Sequence, residues 1–174
     1  MKYPLEYLNF APNQARNKIG MNNPRNIKYI AVHCTAGSQR TTIPALLSVF
    51  KARGFKNPGY HYVVSADGVI HQLLPEDQVS NGVKGFNSVS INVAYIGGVI
   101  SQEGILKSVD NRTPEQKASL RKLLEGLKKR YPQAVIQGHR DFSPDINGNG
   151  MIDTWERIKD CPCFDAKVEY ADIK

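Results

Sequence analysis

Apolar positions along the chain fall into two rhythms that alternate from end to end. Residues 27–34 (Ile-Lys-Tyr-Ile-Ala-Val-His-Cys) are apolar almost throughout, the mark of a strand buried on both faces. A helix is predicted to open at Thr42, with Pro44 in its first turn and Ile43, Leu46, Leu47 and Phe50 on one face, ending before Gly54 and Pro58. Residues 60–65 and 69–74 read as two short strands about the turn Ala66-Asp67-Gly68, and residues 89–97 as another buried strand stopped by Gly97-Gly98. Thr113-Pro114-Glu115-Gln116 is a capping box with proline at the first helical position, and Leu120, Leu123, Leu124 and Leu127 form the apolar stripe of the helix it opens. That helix stops at Tyr131-Pro132; a strand to Gln137, a long loop, a short helix near 153–159 and a last helix after Phe164 complete the chain.

Strands that mix with helices throughout predict an α/β fold, a single domain with a mixed central β-sheet flanked by helices. The first 26 residues are polar, scattered with Asn, Pro and Gly, and read as an N-terminal arm to a domain over 27–174. A length of 174 residues, 41% hydrophobic and 22% charged, suits one domain with a real core. No apolar run is long enough to span a bilayer, and residues 1–8 lack the apolar region of an ordinary secretory signal. The expectation is a monomer made in the cytoplasm, without membrane insertion.

The net charge of +7 is unevenly placed. Residues 1–60 hold nine Lys/Arg against Glu6 alone, whereas residues 141–174 hold eight acids against four bases. A basic half can attract nucleic acid, an anionic membrane or an anionic cell wall, or be an ordinary solvated surface. No base-reading motif accompanies it, so nucleic acid is not expected as a partner.

Candidate chemistry narrows the field. His33 and His139 each end an apolar strand, where active-site loops gather in open α/β sheets. Three cysteines, Cys34, Cys161 and Cys163, leave an odd one in any disulfide scheme, which favours metal binding or burial. Two imidazoles and one thiolate are three ligands of the kind that a catalytic zinc site combines with an open fourth position. His61 and His71 sit inside strands and read as packing or supporting residues.

Between His139 and Cys161 lie 21 residues, and Asp145 to Glu156 within them matches a twelve-position EF-hand loop. Asp145, Asn147, Asn149, Met151 (through its carbonyl), Asp153 and Glu156 would be the calcium ligands, with Gly150 at the sharp turn. The competing reading is an Asn/Gly-rich turn in which Asp153 caps a helix. No helix precedes the loop.

His33-Cys34-Thr35-Ala36, Gly59-Tyr60-His61-Tyr62, Gly85-Phe86-Asn87 with Ser90-Ile91, Gly138-His139 and Lys159 to Asp165 occur in this order. The arrangement resembles the type-2 N-acetylmuramoyl-L-alanine amidases, the superfamily of phage lysozymes and peptidoglycan recognition proteins, from about Ile27 to Asp165. The resemblance implies an amidase-like fold, with His33, His139 and Cys161 as zinc ligands; a third ligand directly before proline selects Cys161 over Cys163. It implies Tyr60 and Lys159 as catalytic residues, Asn87 as a substrate contact and bacterial peptidoglycan as the partner. One departure is Asn81-Gly82-Val83-Lys84, where many relatives carry a histidine. Cys34 is expected on the sheet face opposite His33.

The implied reaction is hydrolysis of the amide between N-acetylmuramic acid and L-alanine, in a phage endolysin, a recycling enzyme or an exported effector. Zinc would lower the pKa of water toward ~7 and polarise the carbonyl. A cation and a phenol would stabilise the oxyanion. The rival is a non-catalytic peptidoglycan-binding module, against which the third ligand argues.

Overall fold

The sheet is ordered by strand pairing that only a crossover fold can make. In the computed structural model, which describes residues 25–174, β1 (Tyr29–Cys34) is an interior strand, parallel to β4 (Ser90–Tyr95) on one side and to β7 (Val135–Gly138) on the other. β2 (Tyr62–Val64) pairs parallel with β4, and β3 (Ile70–Gln72) adds an antiparallel edge, giving the order β3-β2-β4-β1-β7. The continuous apolar runs of β1 and β4 follow from this position, since both faces are covered. The result is the single α/β domain with a mixed sheet that the pattern predicts.

Period-two alternation sorts β1 between two layers. Ile30, Val32 and Cys34 face a core that includes Leu120, Leu124 and Leu127 of α2 (Pro114–Arg130) and Ala166 of α3 (Ala166–Glu169). On the other face Val63 and Ala94 pack against Ile43, Leu46 and Phe50 of α1 (Ile43–Ala52). His33 belongs to this second face, level with Ala94 in the register. Each helix starts as its sequence indicates: Thr42 accepts from the Ala45 amide, and Thr113 and Gln116 close the capping box.

Gln116 also ties layer to layer. Its side chain is fully buried, and Nε2 donates to the carbonyls of Val64 (3.1 Å) and Ile96 (2.8 Å) at the ends of β2 and β4.

Two elements differ from expectation. A separate hairpin, β5 (Val99–Gln102) and β6 (Ile105–Ser108), turns at Glu103-Gly104, both with positive φ. Ile100, Ile105 and Leu106 are exposed there, so no inside-outside alternation marks the strands. The helix expected over 153–159 is only a 3₁₀ turn, Thr154–Glu156. The Glu156 carboxylate accepts from the amides of Ile146, Asn147 and Asp153, and the backbone is extended by Arg157.

Of the arm expected over 1–26, residues 1–24 lie outside the described residues. Arg25 donates to the carbonyls of Glu76, Gln78, Asn87, Ser88 and Ser90. Among the described residues no helix is long and apolar enough to cross a membrane.

Gln116→Glu should keep the cap but remove the donor to the Ile96 carbonyl and the second donor to the Val64 carbonyl, lowering stability by roughly 1–3 kcal/mol. Urea unfolding of the two proteins measures it. Equal midpoints would show that the Val64 and Ile96 bonds contribute nothing.

Candidate metal centre and active site

Strand register builds the site. Val32 of β1 lies opposite Gly138 of β7, so the next residues, His33 and His139, leave adjacent parallel strands side by side. Their rings meet edge to face with centroids 4.7 Å apart. Cys161 arrives on a loop across the same strand ends. The Cys161 carbonyl accepts from the Arg140 amide at 2.8 Å, and the Tyr95 hydroxyl donates to the Pro162 carbonyl at 2.8 Å. The ligand atoms of His33, His139 and Cys161 lie within 4.8 Å of one another, the one such group of His, Cys, Asp or Glu among the described residues. His33 Nδ1 stands 3.8 Å from Cys161 Sγ. A tetrahedral zinc with ordinary bond lengths needs an N···S edge of about 3.5 Å, so the donor set fits with little movement.

A buried chain of hydrogen bonds fixes which imidazole nitrogen faces the ligand cluster. The Asn92 amide N–H donates to His61 Nδ1 at 2.9 Å, which leaves the His61 proton on Nε2, donated to the Gln78 carbonyl at 3.0 Å. The Asn92 side chain gives its N–H₂ to Ser80 Oγ (2.8 Å) and so turns Oδ1 toward His33 Nε2 at 2.9 Å. His33 must therefore donate from Nε2, and its Nδ1 lone pair is free for a cation. Burial lowers the His33 pKa to about 4, aided by Lys159 against the Asn92 bond; burial, His33 and Lys159 lower that of His139 to about 3. Both imidazoles are neutral at neutral pH, as metal ligands must be.

The other cysteines divide as expected. Cys34 points into the α2 side of the sheet, opposite His33, and meets Cys163 Sγ at 3.7 Å. The bond with Cys161 and burial push its pKa up to about 12, so it stays a thiol. The Cys34 amide, however, donates to Cys161 Sγ at 3.2 Å.

Tyr60 and Lys159 come to the same place. The Tyr60 ring lies 5.1 Å from that of His33, and its hydroxyl donates to the Cys34 carbonyl at 3.3 Å. Burial first, then Cys161 and Cys34, raise its pKa, keeping the phenol a donor. Lys159 is exposed and lines a groove of about 620 Å³ with His139, Lys84, Asn87, Phe142 and Ile158. Asn87 is in that wall, but its Oδ1 also accepts from the Val83 amide at 2.7 Å and so braces the loop. Sequence reasoning missed Asn92 and Ser80; their only signal is a polar residue inside an otherwise apolar strand and a serine upstream. His71 bonds to Ser65 at 3.0 Å on the hairpin, apart from this cluster.

The twelve-residue loop is closed by its own hydrogen bonds. The Asp145 carboxylate accepts from the amides of Gly148, Asn149 and Gly150, and Asp153 accepts from the side chains of Asn147 and Asn149. With Glu156 turned to backbone amides, the carboxylates of Asp145, Asp153 and Glu156 do not form a metal-binding group. The structure therefore adds no support to calcium there, and Met151 is an exposed side chain.

Asn92→Ala should weaken zinc binding about 10–100-fold, because His33 loses the acceptor that orients it. Competition with a chromogenic chelator measures this, and unchanged affinity would remove Asn92 from the site. Gly138→Ala should have a similar effect by another route: a Cβ there would lie 2.5 Å from Pro162 Cδ, beside the Cys161 ligand.

Comparison with known proteins agrees with the geometry. Residues 23–163 match the family described as N-acetylmuramoyl-L-alanine amidase. The endolysin of Klebsiella phage KP32 is 32% identical over 152 residues, covering 86% of this chain and 89% of that protein. The endolysin of Escherichia phage T7 is 34% identical over 140 residues, covering 79% and 82%. Among solved structures, the N-acetylmuramoyl-L-alanine amidase LysC from Clostridium intestinale superposes with a TM-score of 0.64 at 24% identity, covering 87% of each chain. The folded core, the cluster of two histidines and a cysteine, and the family match converge: this chain belongs to the N-acetylmuramoyl-L-alanine amidase family.

Proposed function

We propose that this chain hydrolyses the amide between the lactyl group of N-acetylmuramic acid and L-alanine in peptidoglycan, using a zinc ion held by His33, His139 and Cys161. The observation that carries the reading is the convergence of those three ligand atoms at the edge of a groove of about 620 Å³. Bound there, zinc supplies Lewis acidity that activates water and polarises the scissile carbonyl. The chain's own groups do the rest.

His33 is held in one tautomer by Asn92. Cys161 is held by the Cys34 amide, which donates to its sulfur. The Lys159 ammonium, at the rim beside His139, stabilises negative charge on the carbonyl oxygen as the tetrahedral species forms. Tyr60 supplies a second donor by exchanging its long bond to the Cys34 carbonyl for one to the same oxygen. Asn87 contacts the substrate from the groove wall. Release to the cell wall as an endolysin fits the relatives best, and calcium has no part in the reading.

The rival, a binding module without catalysis, would not need a third ligand or a cation at the rim. Metal analysis and turbidity loss of purified cell walls separate the two. Cys161→Ser should lose zinc and reduce lysis by at least about 100-fold. Lys159→Met should keep zinc yet lower kcat about 10²–10³-fold, the usual cost of one oxyanion donor. Full zinc and full lysis in Cys161→Ser would end the assignment.

A further inference from the structure

The loop over residues 145–158 satisfies its polar groups within itself, on the bonds that close it around Asp145, Asp153 and Glu156. Its large apolar side chains have no such internal partners and face water: Ile146 is 66% exposed, Met151 64%, Trp155 65% and Ile158 72%. Four exposed large apolar side chains in one short loop mark a candidate interaction site. The segment is also anchored, since the Ile158 amide donates to Ser143 Oγ at 3.0 Å. Ile158 and Ser143 line the groove together with His139 and Lys159, so the loop joins the wall of the active site at Ile158.

We propose that this loop is a platform for the glycan strand of peptidoglycan, on which Trp155 stacks against a sugar ring beyond the cleaved unit. The inference rests on the reading of the groove as a peptidoglycan amidase site. Two arms leave the scissile amide. One is a stem peptide bearing free carboxylates; the other is a sugar chain, uncharged where its lactyl groups carry peptide. The loop and its exit, residues 145–160, hold four acids (Asp145, Asp153, Glu156, Asp160) against Arg157 and Lys159. That wall disfavours the anionic arm. Lys84 also lines the groove, which suits that arm. The neutral arm then runs over the loop, where an exposed indole and aliphatic side chains match the C–H faces of pyranose rings.

Trp155 is the only tryptophan in the chain and so reports on its own surroundings. In wild-type protein its fluorescence should change saturably with an oligomer of N-acetylglucosamine, which has no amide for the enzyme to cut at the lactyl position. It should not respond to a free stem peptide. On polymeric cell wall, Trp155→Ala should raise KM about tenfold with kcat unchanged, the scale of losing one aromatic anchor. On a muramoyl-peptide without neighbouring sugars, both constants should equal those of wild type. Circular dichroism and zinc content confirm that the variant is folded and loaded. A tryptophan signal that ignores the sugar, a signal driven by the stem peptide, or an unchanged KM on polymer overturns the platform. Failure of the wild type to hydrolyse the small muramoyl-peptide would instead overturn the amidase reading.

Discussion

The parallel pairing of β1 with β7 is the constraint on which the site depends. Residues 33 and 139 are far apart in sequence, and only a register that sets Val32 against Gly138 brings their imidazoles level. A slip of one residue would send one histidine to the opposite face, into the layer where Cys34 and Leu120 pack. That register is held in turn by the apolar contacts of Ile30, Val32, Ile136 and Phe164, all in one core. The meeting of these candidate metal ligands is a consequence of how a hydrophobic sheet chooses its alignment.

The loop bearing Cys161 shows the same dependence at closer range. A turn over these residues, with Cys163 at positive φ, lets Cys161 reach the ligand cluster while Cys163 reaches the core against Cys34. One strand end thus serves both: Cys34 packs against Cys163 through its sulfur and binds Cys161 through its amide. Close approach at this corner needs glycine. At Gly98 a side chain would occupy the space of Cys34, and Gly98 itself has φ of 98°, a conformation that L side chains rarely adopt.

Much of this was legible in the chain because hydrophobic period and caps both report local structure. The β1 run, the Thr113–Gln116 box and the leucine stripe of α2 each agree with the structure. His33, His139 and Cys161 were legible as chemistry, since few residue types serve as zinc ligands, and the structure brings them together. The β5–β6 hairpin was not legible, because its apolar residues face water and leave no alternation to read. Asn92 was hidden for another reason. An asparagine among buried apolar residues says that it has partners, but not that those partners are Ser80 and a histidine 59 residues away in the sequence. The 153–159 segment misled because Asp153 reads in the sequence as the cap of a helix, with Glu156 beyond it. Three backbone amides claim its carboxylate instead.

Preorganisation explains why so much buried polar structure is kept beneath one histidine. A Ser80–Asn92–His33 chain with His61 behind it is costly to bury unless every donor finds an acceptor, and here each does. An apolar substitute for Asn92 would spare that desolvation but leave the His33 Nε2–H unpaired and the ring free to turn. The imidazole would then lose orientation at the moment a cation arrives, and binding would have to supply the ordering itself. By fixing the ring beforehand, the sheet lets metal affinity go into ligation rather than into arranging ligands. The hydrophobic core, which forms in any case, carries the cost of that arrangement.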